Sequence, residues 1–170
     1  MINVIKATSR HWCEGEITQL NESSCVIHGA TSIKVKWGVT AEAGHFLQRE
    51  ALWLQRLSKL LGADWSHRCI ALERIGQAQV LFTSYKQGVS LAELKEGLSL
   101  EQRLTLAHVI FPALKQRLTE LQRHQIVHGD IKLANIIVDE AQQLALIDFA
   151  NARRVGEAFS GTGFMQFTPS

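Results

Sequence analysis

The order of strand-like and helix-like segments predicts an α+β fold, with a small sheet first and helices later. Residues 16–20 and 25–28 are candidate strands, and residues 31–37 combine β-branched side chains with a period of two. A helix follows, because five apolar residues recur at helical spacing. They are Phe46, Leu47, Leu54, Leu57 and Leu61.

Two capping boxes predict where later helices begin. Ser90 is followed three residues later by Glu93, and Ser99 is followed in the same way by Gln102. The second box opens a long helix whose apolar stripe we expect to lie in the core. The stripe consists of Leu104, Ala107, Phe111, Leu114, Leu118 and Leu121. Pro112 lies within this helix and predicts a kink or a local irregularity.

The most informative segment is 127–149, which places four functional side chains at fixed offsets. Asp130, Lys132, Asn135 and Asp148 are a set that phosphoryl transfer from a magnesium nucleotide requires. Between the last two, an apolar run, a polar turn over 139–143 and a second apolar run predict a strand–turn–strand hairpin. Such a hairpin would hold Asn135 and Asp148 at the two ends of one rigid unit, where a metal could bridge them.

This segment resembles the catalytic loop and metal-binding segment of the eukaryotic-type protein kinases. The family pattern H-R-D-L-x-x-x-N followed by D-F-G is present here as H-G-D-I-K-L-A-N, from His128, and D-F-A, from Asp148. The resemblance implies a protein kinase-like fold, with a small antiparallel β lobe carrying one helix over a mainly α lobe. It implies one kinase-like domain over 1–170, with an N-lobe at 1–86 and a minimal C-lobe at 87–170.

The resemblance also assigns roles to residues. Asp130 would orient the acceptor hydroxyl and take its proton, and Lys132 would neutralise charge on the transferred phosphoryl group. Asn135 and Asp148 would hold Mg²⁺ and so contribute to ATP binding. His128 would be a packing residue beneath the metal segment.

Two more residues of the N-terminal half complete the implied ATP site. Lys34 occupies the position of the lysine in the family's V-A-I-K strand, although Lys36 lies on the same face and is the competing candidate. Glu50 lies where the family has the helix glutamate that pairs with this lysine. Its alternative interpretation is an ordinary solvated helix carboxylate that makes local pairs.

Residues 79–94 resemble the last strand of the small lobe, the hinge and a short helix. By that resemblance, Ser84, Tyr85 and Lys86 would present backbone groups to adenine, and Thr83 would be the gatekeeper.

Two departures from the family pattern favour a different class of function. The glycine-rich loop is replaced by residues 21–24, Asn-Glu-Ser-Ser, where serines fit less freely against phosphates than glycines. Ala150 replaces the glycine of D-F-G. These features support the alternative of a pseudokinase that acts as a binding or regulatory module.

The C-terminal end resembles the end of an activation segment, after which the family's later helices do not follow. We therefore expect a truncated α lobe, with Ile126, Phe164, Met165 and Phe167 exposed as a surface for a protein partner or a second copy. The same segment offers Ser160, Thr162 and Thr168 as autophosphorylation sites.

Composition limits the remaining classes of function. The chain has 170 residues, 46% of them hydrophobic, and a net charge of +2, which is too small to argue for nucleic acid. No apolar run is long enough to cross a membrane. The three cysteines, Cys13, Cys25 and Cys69, are widely spaced and fit reduced thiols in a cytoplasmic protein.

These observations predict an ATP- and Mg²⁺-dependent serine/threonine protein kinase that acts on a protein hydroxyl or on itself. Lys132 and the Gly161-Thr162 pair resemble protein kinases. Small-molecule kinases of the same superfamily share H-G-D and the asparagine and typically lack that lysine, and they remain an alternative.

Overall fold

The computed structural model describes residues 15–157 and has the predicted α+β architecture. Its main sheet has five antiparallel strands in the order β1-β2-β3-β5-β4. The strands are β1 (Glu16–Asn21), β2 (Ser24–His28), β3 (Ile33–Gly38), β4 (Cys69–Ile75) and β5 (Ala78–Ser84). The predicted strands at 16–20, 25–28 and 31–37 are thus confirmed to within one or two residues.

Helix α1 (Ala41–Leu61) connects β3 to the segment before β4 and packs on one face of the sheet. It begins where the Thr40 hydroxyl accepts a hydrogen bond from the Ala43 N–H, at 3.1 Å, which satisfies one of the free donors of the first turn. Leu47 and Ala51 bury against Leu81 of β5. The helix therefore holds its polar residues at fixed positions over the sheet.

The second half of the described chain is built from two helices and five short strands. The helices are α2 (Leu91–Leu94) and α3 (Leu100–Arg123), and both begin with the predicted capping boxes at Ser90 and Ser99. The strands are β6 (Val89–Ser90), β7 (Ile126–Val127), β8 (Ile136–Val138), β9 (Leu144–Leu146) and β10 (Arg153–Arg154). β8 pairs with β6 and β9, and β7 pairs with β10.

One hydrophobic cluster joins the two halves of the chain. Trp53 and Leu57 of α1 pack in the same cluster as Leu121 of α3, Leu146 of β9 and Phe149. Burial of apolar side chains is the main favourable term in folding, so this cluster fixes α1 relative to the second half. A separate cluster, which includes Val35 and Phe82, covers the opposite face of the sheet.

The apolar stripe of α3 is placed differently from the prediction. Of its predicted core residues, Leu121 is buried and Leu114 packs half-buried against the same cluster, whereas Leu104, Phe111 and Leu118 are exposed. The helix buries Ile110 instead, because only one side of it faces the cluster formed with β7 and β9. The helix continues on both sides of Pro112.

Ile126 is buried at 5% exposure, so the prediction that it is exposed is wrong. It pairs with Arg154 of β10 and packs in the central cluster, which covers it. Phe164, Met165 and Phe167, with the predicted phosphorylation sites Ser160, Thr162 and Thr168, lie outside the described residues. Within the described part, Cys25 and Cys69 are free cysteines, and no helix there is long and apolar enough to span a bilayer.

Candidate active site

The catalytic loop is held by hydrogen bonds that begin at His128. The Asp130 N–H donates to His128 Nδ1 at 3.3 Å, so Nε2 carries the proton and donates to the Ile147 carbonyl at 3.0 Å. Burial lowers the pKa of His128, which is consistent with this neutral form. The His128 ring also packs against the fully buried Phe149 ring, and the centroids of the two rings lie 4.4 Å apart. His128 has the packing position expected of it.

Asp130 lies at the centre of a small polar cluster. Its Oδ2 accepts from Lys132 Nζ at 2.7 Å and from Asn135 Nδ2 at 2.9 Å. Burial raises the pKa of Asp130, but the hydrogen bond and charge of Lys132 outweigh it, and the pKa is lower than usual. The structure thus brings together the three residues that the sequence predicted for this loop.

The β8–β9 hairpin connects Asn135 to Asp148 as predicted. The Ile147 N–H donates to the Asn135 carbonyl at 3.0 Å, which fixes the two ends of the hairpin against each other. Asp148 has φ of +67°, a left-handed conformation that is rare for a residue with a side chain. Strained backbone of this kind is concentrated at functional sites, where the surroundings impose it.

The lysine that pairs with Glu50 is Lys36, so the assignment of this pairing to Lys34 is corrected. Lys36 Nζ lies 2.7 Å and 2.8 Å from the two carboxylate oxygens of Glu50 and 3.5 Å from Asp148 Oδ1. Lys36 lies one pleat further along β3, opposite Leu81 of β5, and there it meets Glu50 of α1. The sequence could not decide between the two lysines because both lie on the same face.

Glu50 is buried at 1% exposure, so the interpretation as a solvated helix carboxylate is wrong. Burial raises its pKa, but the hydrogen bond from His67 and the charge of Lys36 outweigh burial and bring the pKa to about 2. For Lys36, burial lowers the pKa, but the charge of Glu50 outweighs it and the pKa is raised. The pair is therefore ionised across the neutral range.

His67 is a site residue that the sequence analysis missed. It is buried, and its Nε2 lies 3.5 Å from Glu50 Oε1, on the carboxylate that holds Lys36. Ser66 lies 3.2 Å from its Nδ1 and donates to the Leu146 carbonyl at 2.8 Å. A single histidine after a helix carries no pattern in the sequence, and only the fold brings it to Glu50.

A cleft of about 310 Å³ lies between the sheet and the catalytic loop. Apolar side chains of both halves line it, among them Leu20, Ile137 and Ile147, together with Lys34 and Lys36. The volume is at the lower end of the range for small-ligand sites. A larger groove of about 1100 Å³ lies between α3 and the β8–β9 turn, and of the predicted site residues within 15–157 only Lys86 lines it.

The hinge segment presents fewer backbone donors to the cleft than expected. The Ser84 N–H donates to the Arg68 carbonyl at 2.9 Å, and the Tyr85 N–H donates to the Ser32 carbonyl at 3.0 Å. These two donors are therefore engaged within the chain. Within the described residues, the Lys86 N–H has no such bond, while its side chain donates to the Asp64 carbonyl at 2.9 Å. Thr83 is buried beside Lys34, as its partner in the β3–β5 pairing.

Asn135 and Asp148 suit a cation that also binds phosphate. The Asn135 amide nitrogen is committed to Asp130, so the amide oxygen is the atom with which this side chain could meet a cation. Between residues 15 and 157, no group of three or more His, Cys, Asp or Glu side chains could hold a metal. Mg²⁺ commonly binds one or two carboxylates plus substrate phosphates, and a site of two ligands fits that mode.

A sheet with one helix over a catalytic loop, with a lysine–glutamate pair facing an aspartate across the cleft, defines the protein kinase-like superfamily. Comparison with protein families agrees. Residues 49–165 match the family described as ABC1 atypical kinase-like domain, and the chain belongs to this family.

A second similarity covers a shorter part of the chain. The chain is 33% identical over 73 residues to a protein of Dictyostelium discoideum named dual specificity protein kinase zakA. The match covers 41% of this chain and 9% of that protein.

Proposed function

We propose that the chain is a phosphotransferase that moves the terminal phosphoryl group of ATP, with Mg²⁺, to a hydroxyl group of a protein. The observation that carries the proposal is the convergence on one cleft of Lys36 and Glu50, from β3 and α1, with Asp148 and the Asp130 cluster, from the opposite side. Phosphoryl transfer needs positioning and neutralisation of charge more than covalent chemistry, and these groups supply both.

Each side chain has a role in this proposal. Lys36, held by Glu50, would bind phosphate oxygens, and Asn135 and Asp148 would hold Mg²⁺, which supplies neutralisation of phosphate charge. The apolar residues Leu20 and Ile147 would pack against the base. Lys86 would offer its backbone N–H, whereas Ser84 and Tyr85 would contribute carbonyl groups or side chains only.

Asp130 would orient the acceptor hydroxyl. Its lowered pKa and its bonds to Lys132 and Asn135 make orientation its main contribution, with the proton leaving late, as phosphoryl transfer proceeds. Lys132 would turn from Asp130 toward the transferred phosphoryl group, a movement that its exposed side chain allows.

A protein hydroxyl is the preferred acceptor. Lys132 follows Asp130 by two residues, as in the protein kinases that the loop resembles, and the Dictyostelium protein that matches locally is named a protein kinase. Autophosphorylation at Ser160, Thr162 or Thr168 is part of the same proposal.

The second candidate function is a pseudokinase module that binds a partner without catalysis. The turn between β1 and β2 favours it, because the Ser23 N–H and hydroxyl both donate to Asn21 Oδ1, at 2.9 Å and 3.2 Å. Those two donors are thus engaged within the turn instead of being directed at a nucleotide phosphate.

The first test is a thermal shift with ATP, with and without Mg²⁺, on the wild type and on Asp148→Asn. A ligand that binds the folded state raises the melting temperature by mass action. The proposal expects a magnesium-dependent rise that Asp148→Asn removes. No rise under any condition would favour the pseudokinase.

The second test is phosphoryl transfer, followed by mass spectrometry of the protein and of a generic protein substrate. Asp130→Asn should abolish transfer while ATP still binds. Asp139→Asn is the matched control, because Asp139 lies in the β8–β9 turn and bonds the Gln143 N–H there. Binding of ATP without transfer to any protein would overturn the protein acceptor, and transfer to a small molecule alone would favour a small-molecule kinase.

A further inference from the structure

The second lysine of β3, Lys34, lines the same cleft as Lys36 and differs from it in its partners. Lys36 is bonded to Glu50 and Asp148. Lys34 is partly buried, and within residues 15–157 its ammonium group makes no hydrogen bond or ion pair. A charged group withdrawn from water and left without a partner costs free energy, so this position favours a ligand that supplies the missing partner.

The charges around Lys34 define what that ligand must carry. Burial lowers the pKa of Lys34, and the charge of Lys36 lowers it further, while the charges of Glu50 and Asp148 act in the opposite direction. Two lysines two residues apart on one strand face have their Cα atoms about 7 Å apart. An anion with several oxygen atoms could contact both ammonium groups and remove the repulsion between them.

The β1–β2 turn above the cleft leaves the charge of a phosphate chain to be neutralised by another group. Its Ser23 donors are engaged by Asn21, and the Ser23 carbonyl accepts from the Trp37 N–H at 2.9 Å, which ties the turn to β3. Glu22, in the same turn, adds a negative charge. The turn therefore offers little to a phosphate chain, and neutralisation of the phosphate charge has to come from β3, where Lys34 lies.

We infer that Lys34 is a second polyphosphate-binding residue, which acts beside Lys36 in place of the missing donors of the β1–β2 turn. The inference rests on the proposed nucleotide site for the identity of the ligand. The chemistry that it requires is only that of a chain of phosphates. Lys34 thus contacts the ligand itself, whereas the role of Lys36 depends also on Glu50.

The experiment compares Lys34→Met and Lys34→Arg with the wild type in thermal shift and direct binding. The probes are tripolyphosphate, ATP with Mg²⁺, and adenosine. Lys59→Met, an exposed lysine near the end of α1, is the control for loss of one positive charge. Lys34→Met should weaken tripolyphosphate and ATP by about tenfold, the value of one charge-assisted contact, and leave adenosine unchanged. Lys34→Arg should restore most of the loss.

Each other outcome has a definite meaning. Equal affinity of Lys34→Met and wild type for tripolyphosphate would overturn the inference, as would a loss that is as large for adenosine, or ATP binding without any tripolyphosphate binding. Binding of tripolyphosphate that depends on Lys34, without any binding of ATP, would sustain the inference and refute the proposed function. Binding of neither ligand to the wild type would refute both.

Discussion

The floor and the roof of the cleft are built in different ways. In the floor, formed by His128–Asp148, the polar side chains are joined by hydrogen bonds within the chain, from His128 to Ile147 and from Asn135 to Asp130. In the roof, formed by β1, β2 and β3, the Ser23 donors of the turn are engaged by Asn21, and the Lys34 ammonium group in the cleft has no hydrogen bond or ion pair within residues 15–157. The polar side chains of the floor thus have partners before a ligand binds, whereas Lys34 of the roof gains its partner from the ligand.

This difference predicts which substitutions should change the stability of the protein and which should change its affinity for a ligand. A network that is fully bonded loses stability when any member is removed, whether or not a ligand is present. An unpaired charge in a cleft gains from a ligand and contributes little before it binds. Substitutions of bonded side chains should therefore affect folding, and substitutions of unpaired charged side chains should affect binding.

The largest expected effect is on the free energy of unfolding, and it contrasts the two lysines of β3. Lys36→Met leaves Glu50 buried without its main counter-charge, which should cost about 3–5 kcal/mol. Lys34→Met should leave stability nearly unchanged or slightly higher, because it removes a repulsion from Lys36 and breaks no hydrogen bond or ion pair of the Lys34 ammonium group within residues 15–157. Urea denaturation of both variants measures the difference. Equal losses would contradict the pairing of Glu50 with Lys36.

The next effect concerns a glycine of the floor. Gly129 has φ of +83°, and a Cβ there would lie 2.2 Å from the Asn151 carbonyl oxygen. Gly129→Ala should therefore cost about 3 kcal/mol, from backbone strain of 1–2 kcal/mol together with the steric clash. Gly97→Ala is the matched control, because Gly97 has φ of +79° with nothing within 4 Å of the added Cβ. Gly97→Ala should lose only the stability that the backbone strain costs, about 1–2 kcal/mol.

Sequence reasoning predicted the floor better than the roof, and the reason is physical. Asp130, Asn135 and Asp148 lie within 19 residues, and one hairpin with a polar turn determines their separation, so the sequence contains the geometry. The partner of Glu50 depends on where α1 crosses β3. Packing of Leu47 and Ala51 on β5 decides that crossing, and no local pattern encodes it.

The same limit explains the other differences. His67 reaches Glu50 only through the segment between α1 and β4. The sequence predicts that the whole apolar stripe of α3 lies in the core, but in the described part of the chain only the side with Ile110 has packing partners. Local patterns such as the capping boxes of Ser90 and Ser99 were predicted correctly, since both partners lie within four residues. Sequence order predicts contacts well when the chain between them is short.

A smaller effect should appear in the dependence of stability on pH. Burial lowers the pKa of His67, so the folded protein holds this ring neutral where the unfolded chain would protonate it. Stability should therefore fall as pH falls from the ordinary value of 6.5 toward the lower folded pKa. His128 has a lowered pKa for the same main reason and adds to this window.

Glu50 contributes in a second, more acidic window. Its folded pKa of about 2 lies below the ordinary 4.5, so the stability that it contributes is present above 4.5 and is lost as pH falls through about 2. Denaturation midpoints between pH 2 and pH 8 would show both windows. His67→Gln should reduce the slope of stability against pH in the window below pH 6.5. An unchanged slope in that variant would contradict the buried neutral state of His67.

The smallest expected effect compares one capping motif at the edge of the cleft with the same motif away from it. Ser90→Ala and Ser99→Ala each remove a hydroxyl that accepts from the backbone N–H three residues on, which should cost about 1 kcal/mol. Ser90 is buried and its hydroxyl also donates to Glu93, which lines the cleft, whereas Ser99 is exposed. Because Ser90 has this second bond, its loss should exceed that of Ser99 by a few tenths of a kcal/mol in urea denaturation. A loss at Ser99 that equals or exceeds the loss at Ser90 would show that burial beside the cleft adds nothing to this cap.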